Sequence, residues 1–88
     1  MSAVAAAIEA VLRERLQPES IELRDDSHHH IGHAGAREGG HFAVRIVAAG
    51  FAGRSKVARH RLVYDALGPL KARGIHALSI EALAPGES

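Results

Sequence analysis

Apolar residues recur early in the chain at Val4, Ile8, Val11, Leu12 and Leu16, which places them on one face of a helix. Ser2 is positioned to cap its start, Glu9 and Arg13 form an i, i+4 pair on its wet side, and Pro18 ends it. The period then changes to two. Ile21 and Leu23 alternate with Glu22 and Arg24, a short strand with one dry face. The alternation returns from His41 to Ala48, with Phe42, Val44 and Ile46 facing one way and Ala43, Arg45 and Val47 the other. Phe51 to Ser55 reads as a turn or a single helical turn, with Ser55 as the cap of a helix starting near Lys56. Its stripe is Val63, Ala66, Leu67 and Leu70, and continuing backwards it takes in Arg59 and His60. Gly68-Pro69 should kink or break this helix, because Pro69 has no N–H to donate to Asp65, and Gly74 should stop it. Ile75 to Leu83 reads as a third strand, with His76, Leu78, Ile80 and Ala82 on one face.

The order is therefore α-β-β-α-α-β. The first two strands form an antiparallel hairpin with a long loop. A helix links the second to the third, which predicts a parallel pair joined by a right-handed crossover. The expected fold is α+β, a three-stranded mixed sheet with helices packed on one face. One domain is expected over residues 1–84, with a C-terminal tail at 85–88.

The hairpin loop changes the picture from fold to chemistry. Asp26 to Gly40 holds His28, His29, His30 and His33, and His41 follows at once. Gly32, Gly35, Gly39 and Gly40 interrupt any helix or strand pattern. Loops this long in small domains are functional or are solvated surface. Five imidazoles in and beside it are possible metal ligands or proton acceptors. The plainer reading is a solvated loop whose histidines do nothing specific.

Composition narrows the options. The 88 residues carry 11 Lys and Arg against 10 Asp and Glu, so a net charge of +1 makes no strong electrostatic case for nucleic acid or membrane. Protonating all seven histidines would take that charge from +1 to +8, so the field responds to pH between about 5 and 7. There is no cysteine, so no disulfide, catalytic thiol or thiolate metal site comes from this chain alone. The Ala-rich start is a poor signal peptide, and no apolar run reaches the roughly 18 residues that span a bilayer. A soluble cytoplasmic protein is the expectation. No nucleophile–base spacing stands out. Asp25, Asp26 and the nearby histidines are the nearest thing to an acid–base set, and an enzyme is not expected.

The run Phe51-x-Gly53-x5-Arg59-His60-Arg61-x-Val63-Tyr64-x2-Leu67 resembles the helical signature of the BolA family. Ser27-x2-His30, the Gly-rich passage into His41-Phe42, and Ile75-His76-Ala77-Leu78-Ser79-Ile80 match its other landmarks. The resemblance runs from about Ile8 to Ala82. It implies a fold like a class II KH domain, in agreement with the order above. It also implies pairing with a monothiol glutaredoxin and a shared [2Fe–2S] cluster, in which the glutaredoxin and its glutathione supply two thiolates. This chain would supply His76 and a loop histidine, His30 by its place in the Ser-x2-His motif or His33 in the Gly-His segment. The family is also described as DNA-binding transcriptional regulators linked to stress. Alone, the chain is expected to be a monomer or weak homodimer.

Each residue also has a plainer reading. Apart from the resemblance, His76 reads as a strand-end histidine satisfied by a backbone carbonyl. His60 and His41 read as structural, and His28 and His29 as solvated. Arg54, Lys56, Arg59 and Arg61 form a basic cluster near a helix start. As an alternative function they would contact DNA phosphates. Otherwise they are a solvated face or a dock for an acidic partner segment. Gly53-Arg54-Ser55-Lys56 lacks the second glycine of the KH Gly-x-x-Gly turn, which weakens an RNA reading.

Overall fold

The 3.6-residue apolar period becomes α1, Ala3–Leu16, in the computed structural model, which describes residues 3–26 and 40–87. Ile8 and Leu12 are fully buried, and Val4, Val11 and Leu16 pack against the same cluster. Ala5 is buried too, a position whose single methyl carries little weight in a hydrophobic pattern. Glu9 and Arg13 pair at 3.0 Å on the exposed side. The expected cap, Ser2, lies outside the described residues. Gln17 takes a left-handed φ of 47° and turns the chain ahead of Pro18.

β1 (Ser20–Asp25) pairs antiparallel with β2 (Gly40–Val47), and β2 pairs parallel with β3 (Ile75–Leu83), in the order β1-β2-β3. The register builds apolar rows across the sheet: Ile21–Ile46–Ala82 and Leu23–Val44–Ile80. Phe42, Val44 and Ile46 are buried because the central strand is shielded on both sides, while Ile21, Leu23, Leu78 and Ile80 on the edge strands are only partly covered. Fully burying a side chain such as Ile46 contributes about 1.5–3 kcal/mol. The opposite face carries the row Glu22–Arg45–Glu81, with Arg45 and Glu81 paired at 3.1 Å. One dry face and one charged face explain why the helices cover only one side.

α2 (Lys56–Leu67) begins as expected: the Ser55 hydroxyl accepts a hydrogen bond from the Ala58 N–H at 3.1 Å. Val63, Ala66 and Leu67 enter the core, and Leu70 packs against it. The helix does not pass through a kink toward Gly74. It stops at Leu67, because Gly68 takes φ 71° and Pro69 cannot continue the ladder. Two short 3₁₀ turns flank it, Ala49–Phe51 and Lys71–Arg73, and the first delivers Phe51 into the core with 1% of its surface exposed. Among the described residues, no helix is long and apolar enough to cross a membrane.

Candidate functional site

His76 is positioned by a chain of backbone constraints. The Ile75 N–H donates to the Leu70 carbonyl at 3.0 Å and the Gly74 N–H to that of Lys71 at 3.1 Å, closing the turn before β3. Gly74 sits at φ 80°, a left-handed conformation that favours glycine, and a Cβ there would make ordinary contact with the Val4 methyls. The Gly74 carbonyl accepts from the Gly40 N–H at 2.9 Å, which ties the start of β3 to the start of β2.

The register then slips. Gly40 faces Ile75 but His41 faces Ala77, so β3 carries an extra residue at this point. The alternation of apolar residues had placed His76 in phase with Leu78 on the dry face. The slip overturns that: Ile75 is the buried residue, 2% exposed, and His76 is turned out to solvent. A bulge of this kind re-aims a side chain at a sheet end. The re-aimed imidazole lies 5.0 Å, centroid to centroid, from the half-buried His41 ring, with the ring planes tilted by 40°. The separation is that of two rings in contact. Leu70, Lys71, Ile75 and His76 line an open depression of about 270 Å³ beside it.

The two ends of the His/Gly loop meet at the same place. The Asp26 N–H donates to the His41 carbonyl at 2.8 Å, and Gly40 is tied to Gly74. Both loop ends and the start of β3 thus share one end of the sheet. His28, His29, His30 and His33 lie outside the described residues. Among the described residues, no three His, Cys, Asp or Glu side chains converge as a metal site. His41, expected to be structural, is brought to the start of β3 by the parallel pairing of Gly40 with Ile75.

The basic cluster is divided by the structure. Arg54, Lys56 and Arg61 are exposed. Arg59 is not a free phosphate contact. Its side chain is 13% exposed, its Nε donates to the Arg54 carbonyl at 2.9 Å, and Nη1 donates to the Ala82 carbonyl at 3.1 Å. The guanidinium also holds both Glu87 oxygens, at 2.5 and 2.9 Å. The stretch read as a tail is thereby folded back, with the Glu87 carboxylate also accepting from the Ala84 N–H at 2.8 Å. His60 is half-buried, as expected of a structural residue.

The Arg59 fork, helped by the Ala84 N–H, holds the Glu87 carboxyl at about 2, below its ordinary 4.5. A carboxylate depressed on folding stabilises the protein above its ordinary value and loses that contribution as pH falls toward about 2. Glu87→Gln should therefore melt below the parent at neutral pH, with the gap closing as the medium is acidified. A gap independent of pH in paired thermal melts would mean the ion pair contributes nothing.

The described residues form a small mixed sheet covered on one face by two helices. The BolA family model, described as BolA-like protein, matches residues 12–87, and the chain belongs to that family. A Sinorhizobium relative, described as an uncharacterized protein in the cobS 5′ region, is 47% identical over 83 residues, 91% of this chain and 89% of its own length. Mouse BolA-like protein 1 is 44% identical over 84 residues, 96% of this chain but 60% of the mouse protein. The solved BolA domain of SufE1 from Arabidopsis thaliana superposes with a TM-score of 0.85 at 42% identity, covering 100% of this chain and 99% of that one. The solution structure of mouse BolA1 gives 0.80 at 44%, covering 99% and 69%.

Proposed function

We propose that this protein is the imidazole-donating partner in a [2Fe–2S] cluster shared with a monothiol glutaredoxin and its glutathione, serving cluster trafficking or iron and stress regulation. The observation that carries the reading is the solvent-facing His76 imidazole, 5.0 Å from that of His41, at the mouth of the histidine-rich loop. An iron held by two imidazoles beside an iron held by two thiolates is an established cluster type. A chain without cysteine suits the imidazole half and needs its thiolates from elsewhere. In this reading His76 is one ligand, and the second is His41, His30 or His33. Chain length admits all three. His30 is four residues from Asp26, a span of at most about 14 Å, and His33 is seven from either anchor, at most about 25 Å. The role is that of a binding partner rather than a catalyst.

The test is a titration of cluster-loaded monothiol glutaredoxin with this protein. A one-to-one complex with an altered visible spectrum is expected, because imidazole replaces thiolate on the cluster. The complex should weaken toward pH 5, since a protonated imidazole cannot ligate. Replacing His41, His30 and His33 singly by alanine assigns the second ligand. Failure to form any complex would remove the reading. DNA regulation through the basic cluster keeps only Arg54, Lys56 and Arg61 as exposed contacts, and no observation at the site favours it.

A further inference from the structure

We infer that the Arg59–Glu87 pair is an edge guard, which closes the outer side of β3 against strand pairing with a second copy of this chain and so keeps the protein monomeric. It concerns the end of β3 away from His76 and does not depend on the cluster-sharing role.

Among the described residues β3 is an edge strand. The Leu83 carbonyl accepts from the Ala48 N–H at 3.0 Å, so Leu83 turns its backbone groups toward β2. By alternation Leu78, Ile80, Ala82 and Ala84 turn theirs outward. A bare outward row of this kind is a template for another strand. Here its C-terminal end is already answered by side chains. Arg59 Nη1 donates to the Ala82 carbonyl at 3.1 Å, and the Glu87 carboxylate accepts from the Ala84 N–H at 2.8 Å. One residue of a parallel neighbouring strand would do the same two things, donating to a carbonyl and accepting from the N–H two positions on. The ion pair, at 2.5 and 2.9 Å, joins donor and acceptor into a single imitation of that residue.

Local sequence builds both halves of the guard. A tight turn centred on Pro85 and Gly86 brings Glu87 back over the edge, with Gly86 at φ 90° and the Glu87 N–H donating to the Ala84 carbonyl at 3.1 Å. Both outward groups of Ala84 are thereby met within the chain. From the α2 side, Arg59 is fixed by its Nε bond to the Arg54 carbonyl at 2.9 Å. The two charges neutralise each other, so the guard itself attracts no charged ligand.

What the guard excludes follows from the register of β3 with itself. Turned antiparallel about Ile80, two copies of β3 would set Ile80 against Ile80 and Leu78 against Ala82, so the outward groups of each strand meet those of the other. Their apolar residues would continue one dry face across the junction. Ser79 would fall opposite Glu81, so no like charges would oppose each other between the strands. The edge is therefore self-complementary wherever Ala82 is uncovered, and the guard sits on Ala82. Between Ile80 and α2 an open groove of about 410 Å³ leaves room for a strand to approach.

The test compares the full-length parent with Arg59→Ala and Glu87→Ala by light scattering and by amide hydrogen exchange over a range of concentrations. The parent should stay monomeric. Arg59→Ala strips the cap from Ala82 and the partner from Glu87, so its mass should double as concentration rises, and its Leu78 and Ile80 amides should exchange more slowly in step. Glu87→Ala leaves Arg59 on the Ala82 carbonyl and should dimerise more weakly, at higher concentration. If Arg59→Ala does not fold, Glu87→Ala decides alone by the same two readouts. The inference is overturned if a folded Arg59→Ala stays monomeric, or if the parent associates as readily as the variants. It is also overturned if the variants associate without slowing the Leu78 and Ile80 amides, which would place their contact elsewhere than the edge of β3.

Discussion

Phe51→Ala should cost about 3–5 kcal/mol, the range for deleting a buried aromatic ring. Phe51 is the largest fully buried side chain, 1% exposed, and it is delivered by a three-residue turn that holds its N–H on the Ala48 carbonyl at 3.1 Å. The surrounding cluster takes residues from both helices and all three strands, so a cavity there has no single wall that can move to fill it. A domain of this size has roughly 5–10 kcal/mol in total, and each kcal/mol moves the melting point of such a domain by about 4–8 °C. Thermal or urea melts should show a loss of about 15 °C or more for Phe51→Ala. Val57→Ala, at a side chain 66% exposed, should stay within about 0.5 kcal/mol of the parent. A loss for Phe51→Ala of the same size as for Val57→Ala would mean that the core is not organised around that ring.

His76→Ala should do the reverse, leaving stability within about 0.5 kcal/mol of the parent while removing the spectral change on glutaredoxin complex formation. The bulge is set by Ile75 in the core and by the Gly40–Gly74 hydrogen bond, neither of which needs the imidazole. Loss of a ligand from a cluster with four protein or peptide ligands is not compensated by packing, so the effect on cluster transfer should be all or none. A parent-like spectrum from His76→Ala, with the fold intact by circular dichroism, would take that residue out of the ligand set.

Much of the fold was legible because it depends on local period. The faces of α1, the three strands to within about a residue at each end, and the Ser55 cap all follow from the positions of apolar residues and cap formers. The departures have non-local causes. His76 looked in phase with Leu78, but the pairing of β3 with β2 is offset at Gly40–Ile75, and no residue in β3 alone announces a bulge. Arg59 looked like one of four equivalent cations. Its partner is Glu87, 28 residues away, and a short turn at Pro85-Gly86 hid that meeting. The contact of the His41 ring with His76 depends on the cross-strand pairing and is not visible from its neighbour Phe42. At this end of the sheet, His76 stands out in the sequence, and the structure sets the His41 ring beside it.

The most direct measurement is pulsed electron paramagnetic resonance on the reduced one-to-one complex, made from this protein with ¹⁵N-labelled histidine and unlabelled glutaredoxin. Label in this chain alone isolates its imidazoles from every other nitrogen in the assembly. Strongly coupled nitrogens that carry the ¹⁵N signature are expected, with the coupling from one ring lost in His76→Ala. A cluster signal that is indifferent to the label would mean that no histidine of this protein touches the iron.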